Sequence, residues 1–230
     1  MNGHSPVTRP AQSGRRPVLV WDVPVRLFHW LVVALVAAAY VTERLNWIDW
    51  HVLLGEALLA LLLARVLWGC FGSQTARFRR FLKSPGAALR HLRGLFRREP
   101  DLQVGHNPAG GWMVLLLLAL LQVETLSGLY VNNEIADQGP LSAIVPAWLA
   151  NAISALHALG WDVLLAAVAL HVLAIAVYAI AKGQNLLRPM VTGYKRLPAA
   201  VKAPRQAAPA LAALALGIGA VVTVLLATYL

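Results

Sequence analysis

A single cysteine, Cys70, among 230 residues excludes any internal disulfide, any CxxC metal knuckle and any CxxCH haem attachment. Charge is sparse as well. Only 13% of residues are Asp, Glu, Lys or Arg, and there are 10 acids against 20 Lys and Arg. With 59% hydrophobic residues and a mean hydropathy of +0.63, a soluble fold of this length could not hide its apolar surface, so the expected solvent is the bilayer. The net charge of +10 would suggest nucleic acid in a soluble protein. Here the charges fall between apolar blocks, which points to membrane topology and attraction to anionic lipid, with no nucleic-acid partner.

Five apolar segments approach the ~17–25 residues of a spanning helix: Leu27–Thr42, Val52–Gly72, Trp112–Val131, Ile153–Ala181 and Pro209–Leu230. All secondary structure is expected to be helical, because a spanning segment must satisfy its own backbone hydrogen bonds. The third helix has a clear start, with Asn107 as N-cap and Pro108 as first helical residue. The stretch PLSAIVPAWLAN before the fourth reads as a short amphipathic piece at the membrane surface. Residues 1–20 lack an apolar h-region, so they read as a flexible tail and not as a cleavable signal peptide. The eight tryptophans sit mostly near segment ends and read as an interfacial belt.

Cytoplasmic loops are enriched in Lys and Arg. Four basic residues lie up to Arg26, nine between Arg65 and Pro108, and six between Lys182 and Arg205, all on one side of a five-span topology. The other side carries only Arg44, beside Glu43, Asp49, Glu134 and Asp137. The expected orientation therefore has the N-terminus in the cytoplasm and the C-terminus outside.

Four of the seven histidines, His29, His51, His157 and His171, lie in or at the ends of apolar helices. Ionisable side chains there are costly and usually face a partner or cofactor. His157 and His171 are fourteen residues apart, a rise of about 21 Å and a rotation about 40° short of four turns, so they share one face at two depths. Direction of travel puts His51 level with His157 at the outer side and His29 level with His171 at the inner side. Two opposed imidazoles at each of two depths are what a pair of bis-histidine haems requires, with both axial positions filled and electron transfer as the expected task. Structural zinc wants four clustered N or S ligands, which these pairs do not offer. Packing or proton-relay histidines are the remaining alternative.

Arg65 lies fourteen residues after His51, on the same face and at the inner depth. It is either a partner for a haem propionate or a topology anchor that snorkels to the interface. Gly55, one turn beyond His51, and Gly128, toward the outer end of the third helix, are small enough to let a porphyrin approach the backbone, although small residues also serve ordinary membrane-helix packing. Glu124 reads as a carboxyl hydrogen-bonded between helices or as a proton relay for quinone chemistry. His106 reads first as a hydrogen-bonding residue at a helix entrance and second as a quinone or propionate contact.

The motifs WDVPVRLFHW, HVLLGEALLALLLARVLWGCFG, GHNPAGGWM, HALGWDVLLAAVALH and NLLRPMVTGYK, in this order over roughly residues 18–196, resemble the bacterial cytochrome b561 family. That family includes the b-type cytochrome subunit of membrane-bound Ni,Fe-hydrogenases. The resemblance implies an all-α integral membrane four-helix bundle holding two b haems through His29, His51, His157 and His171. It also implies quinone as membrane partner and a periplasmic cytochrome c or hydrogenase-type subunit as the other. Cytochrome b of respiratory bc complexes, with two ligands on each of two helices, fits less well.

The sequence departs from the four-helix pattern in its tail and in an extra C-terminal transmembrane helix, read as an accessory span that packs on lipid, on the bundle or on a second copy in a homodimer, with a docking helix for a partner subunit as the alternative. The expected organisation is a cytoplasmic tail 1–20, a di-haem cytochrome b domain 21–197, a linker 198–208 and a fifth transmembrane helix 209–230. The expected function is electron transfer between a periplasmic partner and the quinone pool. Alternatives are a stand-alone oxidoreductase taking electrons from superoxide or another small reductant to quinone, and a non-redox membrane scaffold or transporter.

Overall fold

A computed structural model describes residues 14–97, 101–132 and 139–229. The first thirteen residues of the expected tail, Arg98, Glu134 and Asp137 lie outside them. Five helices are long and apolar enough to cross a membrane: α1 (Val23–Arg44), α2 (Ile48–Phe71), α5 (Pro108–Gly128), α6 (Ala147–Ala181) and α8 (Pro209–Tyr229). Between them lie the short helices α3 (Phe78–Phe81), α4 (Pro85–Arg93) and α7 (Leu187–Thr192), and a 3-10 turn at Ser142–Ile144.

Local chemistry sets the helix starts. Asp22 caps α1, its Oδ1 accepting from Val25 N at 2.8 Å, and Asn107 caps α5, its Oδ1 accepting from Gly110 N at 2.7 Å. A proline stands in the first turn of each helix, where its missing N–H costs nothing. The fourth spanning helix begins at Ala147, six residues before the apolar run, so Trp148 to Asn151 belong to α6 and only Ser142–Ile144 remains as a separate surface piece. At about 1.5 Å per residue, its 35 residues rise about 52 Å and exceed the hydrocarbon layer.

The expectation of helix throughout does not hold at the basic side. Arg15–Leu19 forms a strand, β1, antiparallel to β2 (Tyr194–Pro198), with Arg15 opposite Pro198 and Leu19 opposite Tyr194. The later part of the expected tail is therefore tied down. Val18, Val20, Trp21, Val25, Trp68, Ala76 and Leu197 form a small core beneath this strand pair. Trp68 donates from Nε1 to Asp22 Oδ2 at 3.0 Å. Trp21 and Trp68 are thus core residues and not part of an interfacial belt, because both join this apolar cluster and Trp68 finds a polar partner inside it.

Within the layer α1 packs on α2, α2 on α5, and α5 on α6, while α6 meets α1 and α2 through side chains such as Trp161, stacked on Tyr40, and Leu164, packed with Leu58 and Leu62. A second core, with Leu58, Leu62, Leu118, Leu121 and Leu164, joins α2, α5 and α6. Long apolar side chains elsewhere, such as Leu165, Leu170, Val172 and Leu173 on α6, face outward, as lipid contact requires. The chain is a multi-pass membrane protein.

The last helix does not stand apart. Gln74 N donates to Arg205 O at 2.9 Å, Arg205 N donates to Gln74 Oε1 at 3.0 Å, and Ala207 N donates to Ser73 Oγ at 2.9 Å, which fastens the linker to the end of α2. From there α8 runs back along α2, and a Cβ at Gly219 would collide with the Ala60 carbonyl. Gly219→Leu is expected to destabilise the α8–α2 contact by about 1–3 kcal/mol, the cost of overpacking. Faster protease cleavage in the 198–208 segment than in the parent protein is the measurement that checks it.

Candidate functional site: two imidazole pairs between helices

The gap between α6 and the α1–α2 pair holds the four histidines. His51 of α2 faces His157 of α6 with ring centres 6.3 Å apart, and His29 of α1 faces His171 of α6 at 6.5 Å. The pairs are those expected from helix direction and rise. Two imidazoles bound to opposite faces of one metal ion, with metal–nitrogen bonds of about 2.0–2.1 Å, have ring centres roughly 6 Å apart. No group of three or more His, Cys, Asp or Glu side chains able to hold a metal occurs among the described residues. A four-ligand zinc site is therefore not formed by them.

In the outer pair both Nδ1 atoms are engaged. His51 Nδ1 lies 2.9 Å from Ala39 O, and His157 Nδ1 lies 3.0 Å from Glu124 O and 3.1 Å from Ser127 Oγ. A backbone carbonyl can only accept, so each Nδ1 carries the proton and each Nε2 keeps its lone pair for a metal. Glu124 Oε1 is 3.5 Å from the same Nδ1, while Oε2 is buried without a hydrogen-bond partner. Glu124 thus flanks the outer histidine and shares this contact with Ser127. Its position one turn before Gly128 is the sequence signal that would have linked it to the outer pair. In the inner pair, His29 Nδ1 is buried without a hydrogen-bond partner, a cost that a non-protein partner would remove.

Gly128 is a close approach: a Cβ there would lie 3.2 Å from His157 Cε1. Gly55 has open space where a Cβ would stand, room that a flat macrocycle beside His51 can use. Gly128→Leu is expected to displace the His157 ring and to remove the outer half of any bound haem while sparing the inner half. Haem per chain, measured on the purified variant, checks this.

Arg65 is 4% exposed, so it does not snorkel to the interface. Its guanidinium lies over Phe28 and Phe78, at 5.7 and 5.5 Å from their ring centres, and its Nη1 has no hydrogen-bond partner. Asp22 is the carboxylate that acts on this buried cation, but Nη1 keeps a hydrogen bond unmade, and a propionate is an anion that would take it. His106 sits between Trp21 and Phe81, with ring centres at 4.5 and 4.6 Å. Its Nδ1 is buried and unpartnered, so the hydrogen bond expected of it at the helix entrance is not made through that atom. Burial first, then Arg65 and His171, hold the His106 pKa well below the usual histidine range.

The first and last motifs meet beside the inner pair. Arg26 Nη1 donates to Val191 O at 2.7 Å, Trp30 Nε1 donates to Met190 O at 3.2 Å, and Val20 N donates to Gly193 O at 2.8 Å. Gly193 has φ +86°, a left-handed turn suited to glycine, and a Cβ there would press on the Trp21 carbonyl. Asp22 was missed as a site-organising residue, although an Asp just before a helix that opens Val-Pro is a readable cap.

The residues present fit haem: two ring pairs at coordinating separation, open space beside Gly55, and a buried guanidinium with a hydrogen bond unmade at the inner level. The fold and site define a helical membrane protein with two imidazole pairs stacked across one gap. Residues 20–193 match the model of the prokaryotic cytochrome b561 family, and the chain belongs to that family. It is a membrane b-type cytochrome of electron transfer. No curated protein matches the chain significantly, and neither does any solved structure.

Proposed function

We propose that the chain is a di-haem cytochrome b that passes electrons between a periplasmic redox partner and the quinone pool. His51 and His157 would hold the outer haem, and His29 and His171 the inner one. The observation that carries this reading is the separation of the two ring pairs, 6.3 and 6.5 Å, at two depths along one face of α6. When bound, haem supplies a one-electron couple at each level. His157 and His171 stand about 21 Å of helix rise apart, so the two pairs would hold their haems at separate levels, and two imidazoles per haem would leave small ligands no open site. Ala39 and Glu124 carbonyls hold the outer imidazoles in the tautomer that coordinates.

The cytoplasmic placement of the N-terminus rests on the basic connections, which gather at the end of the bundle that carries the β1–β2 strand pair. A periplasmic cytochrome c or hydrogenase-type subunit would then approach from the His51/His157 side. Purification in mild detergent, with reduced-minus-oxidised spectra and a pyridine haemochrome assay, tests the reading. Two low-spin b haems per chain are expected, and a colourless protein would overturn it.

A further inference from the structure

The basic side contains a second built feature that the electron-transfer reading does not use. A cleft of about 770 Å³ lies where α2 leaves the apolar layer, and its lining includes Arg77, Arg80, Lys83, Lys202, Arg205 and His106. No carboxylate lines it among the described residues. Among the described residues, Asp101 is committed to Lys195 and Asp22 to Val25 N and Trp68. Arg77 is fixed by its Nε donating to Gly72 O at 2.7 Å. The side chains of Arg80, Lys83, Lys202 and Arg205 make no ion pair or hydrogen bond among the described residues. His106 Nδ1, buried and without a partner, sits at the cleft wall.

Like charges gathered around one concavity repel each other, and an anion seated between them relieves that repulsion. The volume suits a small-molecule group. One wall is the 202–207 segment, held by the Gln74–Arg205 and Ser73–Ala207 hydrogen bonds, and it lies beyond the family match, which ends at residue 193. The cleft is thus completed by this chain's own extension. Gly72 at the end of α2 and Ala207 two residues before α8 both line it, so it opens at the level where two spans meet the headgroup region. Basic pockets at that level are suited to phosphate headgroups whose acyl chains continue into the layer.

We infer that this cleft binds the phosphate headgroup of an anionic phospholipid, using Arg77, Arg80, Lys83, Lys202 and Arg205. Because Arg205 docks through its backbone, truncating its side chain leaves the wall in place. The test is native mass spectrometry of the delipidated full chain in detergent, titrated with diphosphatidylglycerol, with phosphatidylcholine, and with diphosphatidylglycerol in the presence of inorganic pyrophosphate. The triple variant Arg80→Ala, Lys202→Ala, Arg205→Ala is compared with Arg79→Ala, Arg188→Ala, Arg196→Ala, exposed residues that remove equal charge outside the cleft. Replacement of Arg80 and Arg205 by Lys is the conservative control. The expected result is preference for the anionic lipid, weakened more than about tenfold by the cleft triple and by less than half as much by the other, with the Lys variant binding as the parent does. Equal loss in both triples, or no preference over phosphatidylcholine, overturns the proposal. Full displacement by equimolar pyrophosphate also overturns it, assigning the cleft to a free phosphate compound.

Discussion

His171→Ala is expected to lower haem from two per chain to one and to leave the outer centre spectrally intact. The two pairs draw on different helices at one end only: His171 meets His29 of α1, while His157, fourteen residues earlier, meets His51 of α2. The hydrogen bonds that fix the outer imidazoles come from Ala39, Glu124 and Ser127, none of which contacts His171. Losing one axial ligand at the inner level therefore removes or makes high-spin that centre alone. His157→Ala should give the complementary result. A pyridine haemochrome count with low-temperature spectra separates the two cases. Loss of both centres in either variant, in protein that keeps its helical circular dichroism, would contradict independent pairs.

The histidine pairing was legible because it depends on regular geometry. Rise and rotation per residue place His157 and His171 on one face, and alternation of helix direction then sets His51 and His29 at matching depths. The capping of α5 by Asn107 was legible for a similar reason, since an Asn-Pro step needs only local chemistry. The start of α6 was not legible from hydropathy: Trp148 to Asn151 lie in a helix that extends beyond the apolar layer, where no apolar run marks it. The β1–β2 pairing was hidden because its five-residue strands are about 180 residues apart in sequence, and RRPVL and YKRLP carry little alternation of their own. Nor did the Ala/Pro-rich composition of the 198–208 segment reveal that Gln74 and Ser73 fasten it to α2.

Arg65 as a propionate partner and Arg65 as a snorkelling anchor stand on the same face at the same depth, so spacing alone does not separate them. Burial removes the snorkelling reading: at 4% exposure the side chain does not reach the interface, and the aromatic rings of Phe28 and Phe78 lie against it, which leaves the propionate role as the proposal to test. The same side chain then has opposite effects with and without cofactor. Arg65→Met is expected to make haem-free protein more stable, because it removes a buried cation with an unpaired Nη1 in favour of an apolar side chain of similar length. In haem-loaded protein it is expected to weaken retention of the inner haem, since a charge-assisted hydrogen bond of about 1.5–3 kcal/mol is lost and a propionate is left without its partner. That corresponds to roughly a 10- to 150-fold rise in the inner dissociation constant, with the outer haem unaffected. Thermal unfolding of the apo protein and haem transfer to an apo-globin acceptor read the two effects separately. A variant destabilised in both forms would mark Arg65 as a packing residue, because only a side chain that waits for an anion gives opposite signs.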